Sequence, residues 1–263
     1  AFVMIYRLLP DDISVMDAAH IAGKMGRLNV IDFNFDLSTR YNIWSGLIGG
    51  TFLMLSYFGT DQSQVQRYLS GSSVTQSRMA LLVNGLVKIP MQFIILFIGA
   101  MVFVFYQFVT PPIFFNSVEE TNVKTSAYAS QYKALEIQYD EIHQEKQSQI
   151  RDLLQAIDQN DENEIQQQKV KLNGINDQAK EIRKDGIALI EQANPNADTN
   201  DTNYIFLNFV ISFLPVGLIG LVLAAILSAS MSSTSAELNA LASTSVIDIY
   251  KRIFKKDGSD RHY

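Results

Sequence analysis

The sequence predicts an all-α membrane protein that crosses the bilayer several times. Apolar residues gather in three stretches, Ile43–Phe58, Met79–Val109 and Tyr204–Met231. Each approaches or exceeds the ~20 residues that a helix needs to cross the ~30 Å hydrocarbon core. Between the last two stretches lies a long polar region with a repeat typical of paired helices. The chain has no cysteine, which excludes disulfides and thiolate metal sites.

The distribution of basic residues predicts the orientation in the membrane. Lys and Arg occur in 61–78, after the first apolar stretch, and in 251–263, after the last one, whereas 110–123 and 195–203 contain neither. Because cytoplasmic loops are enriched in Lys and Arg, the first two segments are predicted to be cytoplasmic. The region 110–203 is then extracytoplasmic, and the protein is placed in the cell (inner) membrane.

These assignments, with the end of the last membrane helix implied by the resemblance described below, divide the whole chain into consecutive segments. The predicted segments are the tail of a membrane helix at 1–9, an external loop at 10–42, a membrane helix at 43–60, a cytoplasmic loop at 61–78, a membrane helix at 79–109, an external insertion at 110–203, a membrane helix at 204–250 and a cytoplasmic loop at 251–263.

The external insertion is predicted to contain an antiparallel coiled-coil hairpin. Its apolar residues follow a 4-3 spacing that breaks near Lys146, pauses at Asp158–Glu162 and then resumes. This pattern predicts helices over about 124–157 and 162–194, each ~45 Å long. One interpretation is an arm that docks a protein partner, or a lid over the outer vestibule. The other is a solvated hairpin in a tolerant loop.

The insertion is acidic, with 17 acidic and 9 basic residues between Ser117 and Asn203. An acidic segment offers no basic face for nucleic acid, so no nucleic-acid partner is expected. His20, His143 and His262 are isolated from one another in the sequence and are interpreted as surface residues. No arrangement of nucleophile and general base is present, and the protein is predicted not to be an enzyme.

Lys88 is a candidate functional residue because it lies inside an apolar stretch. A charged side chain there costs at least ~2.5 kcal/mol, so it is expected to face a cavity or a partner. The alternative is that the ammonium group extends toward the lipid headgroups.

A face of small and hydroxyl-bearing residues marks the end of the last apolar stretch. Ala229, Ser232, Ser233 and Ala236 share it through i, i+3, i+4 and i+7 spacing. Hydroxyl and carbonyl oxygens suit a hard monovalent cation. Small residues also let helices pack closely, and spacing alone leaves both interpretations open.

Two longer motifs add a resemblance to a family. YFGTDQSQVQRYLSG at Tyr57–Gly71 and GLIGLVLAAILSASMSSTSAELNALASTSVIDIYKR at Gly217–Arg252 resemble segments of the sodium/solute symporter family. The resemblance implies a fragment of a leucine-transporter-type inverted-repeat core. In that core 1–9 is the tail of helix five, and the three membrane helices that follow are helices six, seven and eight.

The resemblance also implies the site residues. Na⁺ is expected at the backbone carbonyl of Ala229 and the hydroxyls of Ser232 and Ser233. Ser235 matches one hydroxyl of the second ion site found in some relatives, whereas Ala236 replaces another. Tyr57 and Lys88 are expected to bind the solute.

The solute itself is less defined, because the sequence mixes features of two branches of the family. The QVQRY run at 64–68 is similar to the iodide and multivitamin branch, whereas Lys88 is similar to a lysine of the sugar branch. Met54 replaces an asparagine of the sugar branch. A sugar, polyol, sugar acid or carboxylate fits this mixture.

The predicted function is therefore Na⁺-coupled symport of a small organic solute by alternating access, in contact with membrane lipid. The alternative is a symporter-like solute sensor or receptor that uses the hairpin to dock a protein partner.

Overall fold

The computed structural model describes residues 1–29, 32–36, 42–69, 71–259 and 262–263. Parts of the predicted segments 10–42, 61–78 and 251–263 therefore lie outside the described residues, as does Ser70 within the first motif.

Every regular element among the described residues is helical, which confirms the all-α prediction. The elements are α1 Phe2–Leu8, α2 Val15–Lys24, α3 Ile43–Gly59, α4 Gln62–Leu69, α5 Val74–Phe108, α6 Ser117–Lys124, α7 Ala129–Asp158, α8 Glu162–Ala193, α9 Tyr204–Phe213, α10 Val216–Thr244 and a C-terminal π-helix Ser245–Phe254.

Polar side chains fix the starts of several helices. At the start of α2, the Ser14 hydroxyl accepts a hydrogen bond from the Asp17 N–H, and the Asp17 carboxylate accepts one from the Ser14 N–H at 2.8 Å. At the start of α8, the Asp161 carboxylate accepts from the N–H groups of Asn163 and Glu164. These bonds satisfy N–H groups that have no partner within the helix.

The predicted single helix at 204–250 is divided in the structure. Leu214 is extended, with φ −90° and ψ 148°, and separates α9 from α10. The cause is Pro215, because a proline disfavours helical geometry in the residue before it and has no N–H to donate. The last part of the prediction also differs, since the helix becomes a π-helix at Ser245.

The chain forms two compact units. The first, here called the hairpin unit, comprises Ala1–Asn29 and Ile94–Pro215. The second, here called the groove unit, comprises Val30–Phe93 and Val216–Tyr263.

In the hairpin unit, α7 and α8 pack against each other in opposite directions. The Gln149 amide donates to the Gln168 side chain near the turn, while Tyr132 lies beside Gly186 at the other end. The turn itself contains Asn160 at φ 52°, a conformation that asparagine tolerates better than most residues. The predicted first helix began at about 124, but the structure ends α6 at Lys124 and begins α7 at Ala129.

The hairpin unit has its own hydrophobic core at the base of the hairpin. The fully buried members of this core are Ile113, Phe114, Val123, Tyr132 and Ile190. The Asp201 carboxylate lies beside it, accepts from the Phe115 N–H at 2.7 Å and pairs with Arg183. The loops on either side of the hairpin are thus tied to α8.

The hairpin also contacts the rest of its unit near the turn end. The Gln147 amide donates to the carbonyl oxygen of Phe108 at 2.8 Å. Arg151 donates to the Asp12 carboxylate at 2.9 Å, and this bond lowers the pKa of Asp12.

Within the described parts of the chain, two helical segments are long and apolar enough to span a membrane, Val74–Phe108 and Val216–Phe254. The apolar helix α3 has 17 residues, equivalent to ~26 Å, and α9 has 10. Both are shorter than the ~20 residues that a membrane helix usually needs.

Candidate solute and sodium sites

The two residues predicted to bind solute, Tyr57 and Lys88, lie close together in the groove unit. Tyr57 is near the end of α3, and Lys88 is in the middle of α5. The Lys88 Nζ atom is 5.9 Å from the centroid of the Tyr57 ring, which is within the ~6 Å reach of a cation–π interaction. This arrangement offers a positive charge and an aromatic face to one ligand.

Tyr57 and Lys88 line an open groove of about 760 Å³. Its wall also carries the amide side chains of Gln64, Gln76 and Asn84. Met54 does not line it, because that residue faces a separate groove on α3 with Gly46 and Gly50. Among the residues that the structure describes, the lining of the solute groove thus combines one cation, one aromatic ring and several amides.

Pro90 adds a backbone acceptor near Lys88. It lies inside α5, and a proline cannot donate the helical hydrogen bond to the carbonyl four residues earlier. That carbonyl belongs to Leu86, which is one helical turn from Pro90 and two residues from Lys88.

The predicted sodium ligands lie in the middle of α10. Ala229, Ser232, Ser233 and Ser235 are all exposed. Neither Ser232 nor Ser233 has a hydrogen-bond partner for its hydroxyl among the described residues. By contrast, the Thr234 hydroxyl donates to the Ser230 carbonyl oxygen of its own helix at 2.9 Å.

These donors fit sodium in kind. One carbonyl and two hydroxyl oxygens on one face are hard, uncharged ligands, which suit a monovalent cation. Within the described residues no group of three or more His, Cys, Asp or Glu could hold a metal ion. All three oxygens come from one helix, so the rest of a coordination shell has to come from another element or from water.

The two sequence motifs contact each other in the groove unit. The Gln66 amide of α4 donates to the Ser243 hydroxyl at 3.4 Å and accepts from the Asn239 amide at 3.4 Å. These bonds are long and therefore weak. They nevertheless connect the first motif to the C-terminal part of α10.

Residue His143 was wrongly interpreted from the sequence as a surface residue. Its side chain is only 4% exposed, and its Nε2 atom has no partner among the described residues. Burial, and then the nearby charge of Lys146, lowers the pKa of His143 to about 4. The break in the apolar repeat at Lys146 was the one sequence signal for a polar site here.

A comparison with protein families agrees with the second motif, Gly217–Arg252. Residues 186–262, which include the whole hydroxyl face of α10, match the Sodium:solute symporter family. This part of the chain is therefore similar to that family. Family members are membrane transporters and not enzymes.

Three of the matching relatives illustrate the range of the family. The human sodium/iodide cotransporter is 42% identical over 64 residues, 24% of this chain and 10% of that protein. Human sodium-coupled monocarboxylate transporter 1 is 46% identical over 59 residues, 22% of this chain and 10% of that protein. The rabbit (Oryctolagus cuniculus) sodium-dependent multivitamin transporter is 33% identical over 91 residues, 33% of this chain and 14% of that protein.

The matched part of this chain thus spans about a tenth of the length of the first two relatives and 14% of the third. No solved structure matches the chain significantly.

Proposed function

We propose that this chain is part of a sodium-coupled symporter that carries a small organic solute across the cell membrane by alternating access. The observation that carries this proposal is the exposed oxygen face of α10, which lies inside the segment that matches the family. Ala229, Ser232 and Ser233 hold Na⁺ through one carbonyl and two hydroxyl oxygens, and Ser235 is available to a second ion. Bound Na⁺ supplies a positive charge whose movement across 100 mV releases ~2.3 kcal/mol.

Lys88 and Tyr57 hold the solute in the groove between α3 and α5. The Lys88 ammonium donates to anionic or carbonyl oxygens, and the Tyr57 ring packs on the apolar part of the solute. Among the sugars, polyols, sugar acids and carboxylates that the sequence allows, a carboxylate suits this pair best. A relative named for monocarboxylate transport points the same way.

The proposal also includes the membrane architecture of the chain. The chain is a fragment of a leucine-transporter-type inverted-repeat core. The α7–α8 pair is a coiled-coil hairpin within an extracytoplasmic region 110–203, while 61–78 and the C-terminus are cytoplasmic. The alternative of a solute sensor has no specific observation in its favour among the described residues.

Uptake by the full-length gene product, reconstituted into liposomes, tests this function. An inward Na⁺ gradient should drive accumulation of at least one compound from a panel of labelled monocarboxylates, sugar acids, polyols and sugars. An equal K⁺ gradient should not, and collapse of the Na⁺ gradient with an ionophore should release the accumulated solute. Uptake that is identical in Na⁺ and K⁺ for every compound that enters would contradict the proposal.

A further inference from the structure

The hairpin unit contains two adjacent cavities that the symport mechanism does not use. One, of about 310 Å³, lies between the C-terminal end of α5 and the middle of α7. The other, of about 520 Å³, extends from there toward α2 and α8. Phe103, Tyr139, Lys146 and Ala179 line both, so the two cavities adjoin.

The second cavity is strongly positive although the hairpin as a whole is acidic. Asp177 is its one carboxylate among the described lining residues. The cations that line it are Lys24, Arg27, Lys146, Lys169, Lys180 and Arg183.

Half of these cations have carboxylate partners. Lys180 pairs with Asp177 at 2.7 Å, Arg183 pairs with Asp201, and Lys24 is 3.6 Å from Glu162. Arg27, Lys146 and Lys169 have no ion pair with any described residue. Arg27 instead lies over the Phe103 ring, with its Cζ atom 4.2 Å from the centroid.

Two of the unpaired cations, Arg27 and Lys146, repel each other. Burial, and then the charge of Arg27, lowers the pKa of Lys146 to about 8. A negatively charged group in this cavity would offset both the repulsion and the loss of solvation. The concave, positive wall also concentrates anions from solution.

The first cavity offers a different surface. Its wall is mainly apolar, with Val102, Phe103, Phe115 and Ile142. Its volume is near the lower end of the range for small-molecule sites, about 300–1,000 Å³, which are typically apolar with a few polar groups.

Two buried polar atoms in the first cavity lack partners. Gln107 is 3% exposed and His143 is 4% exposed. The Gln107 Oε1 and His143 Nε2 atoms have no hydrogen-bond partner in the described part of the chain. Leaving a buried polar group without a partner costs about 1–3 kcal/mol, so a ligand that hydrogen-bonds to them gains affinity.

We propose that the two cavities together bind an organic carboxylate with an apolar body. The carboxylate lies against Arg27, Lys146 and Lys169, and the apolar body lies between α5 and α7 near Phe103 and Ile142. This site is formed by the hairpin unit alone. It is therefore additional to the proposed solute groove, and it does not depend on sodium.

Calorimetric titration with 3-phenylpropionate tests the site, using the full-length gene product in phosphatidylcholine nanodiscs and a sodium-free choline buffer. Wild type should bind 3-phenylpropionate at least ten times more tightly than the neutral 3-phenylpropionamide or acetate. Lys146→Met should weaken that binding at least tenfold. The matched control Lys133→Met changes an exposed lysine of the same helix outside both cavities, and it should leave binding unchanged.

A replacement variant and three possible results complete the test. If Lys146→Met loses its helical circular dichroism, Lys169→Met at the rim of the cavity takes its place, with weaker binding again expected. The proposal is overturned if 3-phenylpropionamide binds as tightly as 3-phenylpropionate. It is also overturned if a folded Lys146→Met or Lys169→Met variant keeps the wild-type affinity for 3-phenylpropionate. Displacement of the probe by phosphatidylglycerol in the nanodisc also overturns it, because the ligand would then be a lipid headgroup.

A last variant distinguishes this site from the solute groove. Lys88→Met should not change the affinity for 3-phenylpropionate in sodium-free buffer. A loss of binding in Lys88→Met would place the probe in the solute groove and overturn the assignment to the hairpin unit. Failure of sodium-coupled uptake, by contrast, would leave the result of this titration unaffected.

Discussion

Gly186 shows how one residue sets the packing at the base of the hairpin. A Cβ atom at this position would lie 2.6 Å from Cγ2 of Ile113, which is itself buried in the core. We expect Gly186→Ala to destabilise the hairpin by about 1–3 kcal/mol, because the added methyl group overpacks the core. Hydrogen exchange of the hairpin amides in the full-length protein measures this change.

Gly174→Ala in the same helix is the matched control. No atom lies within 4 Å of a Cβ at Gly174, so the substitution should stabilise the helix by about 0.5–1 kcal/mol through its better helix propensity. Equal effects of the two substitutions would mean that the contact with Ile113 does not limit the size of residue 186.

Lys88 gives the second prediction at this scale. Lys88→Met keeps the length of the side chain but removes the charge, so the KM for a transported carboxylate should rise about tenfold, equivalent to ~1.4 kcal/mol of binding. Arg78→Met, near the start of the same helix and outside the solute groove, is the control. An unchanged KM in Lys88→Met would remove this lysine from the solute site.

The sequence predicted some of these residues and not others for a physical reason. Lys88 stood out because a charge in an apolar stretch is costly wherever it lies. His143 did not, because the cavity that it lines is shared with the end of α5, which is far from it in the chain. The packing role of Gly186 could not be predicted either, since its contact with Ile113 is also long-range.

At the scale of the helical elements, the stability of the hairpin should depend on pH through His143. Burial lowers the pKa of the folded state from 6.5 to about 4. Between these values the unfolded chain binds more protons than the folded chain, so stability is present above pH 6.5 and is lost as the pH falls toward 4. We expect the free energy of unfolding of the hairpin to fall by about 2 kcal/mol over this pH range, after allowance for the partial solvation of His143.

Hydrogen exchange, corrected for the intrinsic effect of pH on the exchange rate, measures this loss. His143→Leu removes the titrating group and should flatten the pH dependence between 6.5 and 4. A slope that is the same in His143→Leu and wild type would assign the loss to other groups.

Element boundaries were predicted less well than element type. The apolar repeat indicated α7 and α8 but not the separate helix α6, because 117–124 has no apolar repeat of its own. Likewise, hydropathy favoured one unbroken apolar stretch over 204–231, and the resemblance one helix over 204–250, whereas the geometry imposed by Pro215 ends α9 at Phe213. Local backbone chemistry decided this second boundary.

For the whole molecule, composition and hydropathy were enough to predict the all-α architecture, and the second motif was enough to predict the family that residues 186–262 match. The two compact units were beyond such reasoning. Contacts such as Arg151 with Asp12, or Gln66 with Ser243, join residues more than one hundred positions apart. No periodicity in the sequence specifies such pairs.

Sodium binding at α10 is the central claim, and the sodium dependence of uptake by the full-length protein tests it most directly. Ser232→Ala and Ser233→Ala should each raise the Na⁺ concentration for half-maximal uptake about tenfold, as the loss of ~1.4 kcal/mol of ion binding requires. Thr234→Ala should leave it unchanged, because that hydroxyl is bonded to the Ser230 carbonyl on another face of the helix. The same half-maximal Na⁺ concentration in all three variants and the wild type would contradict the account.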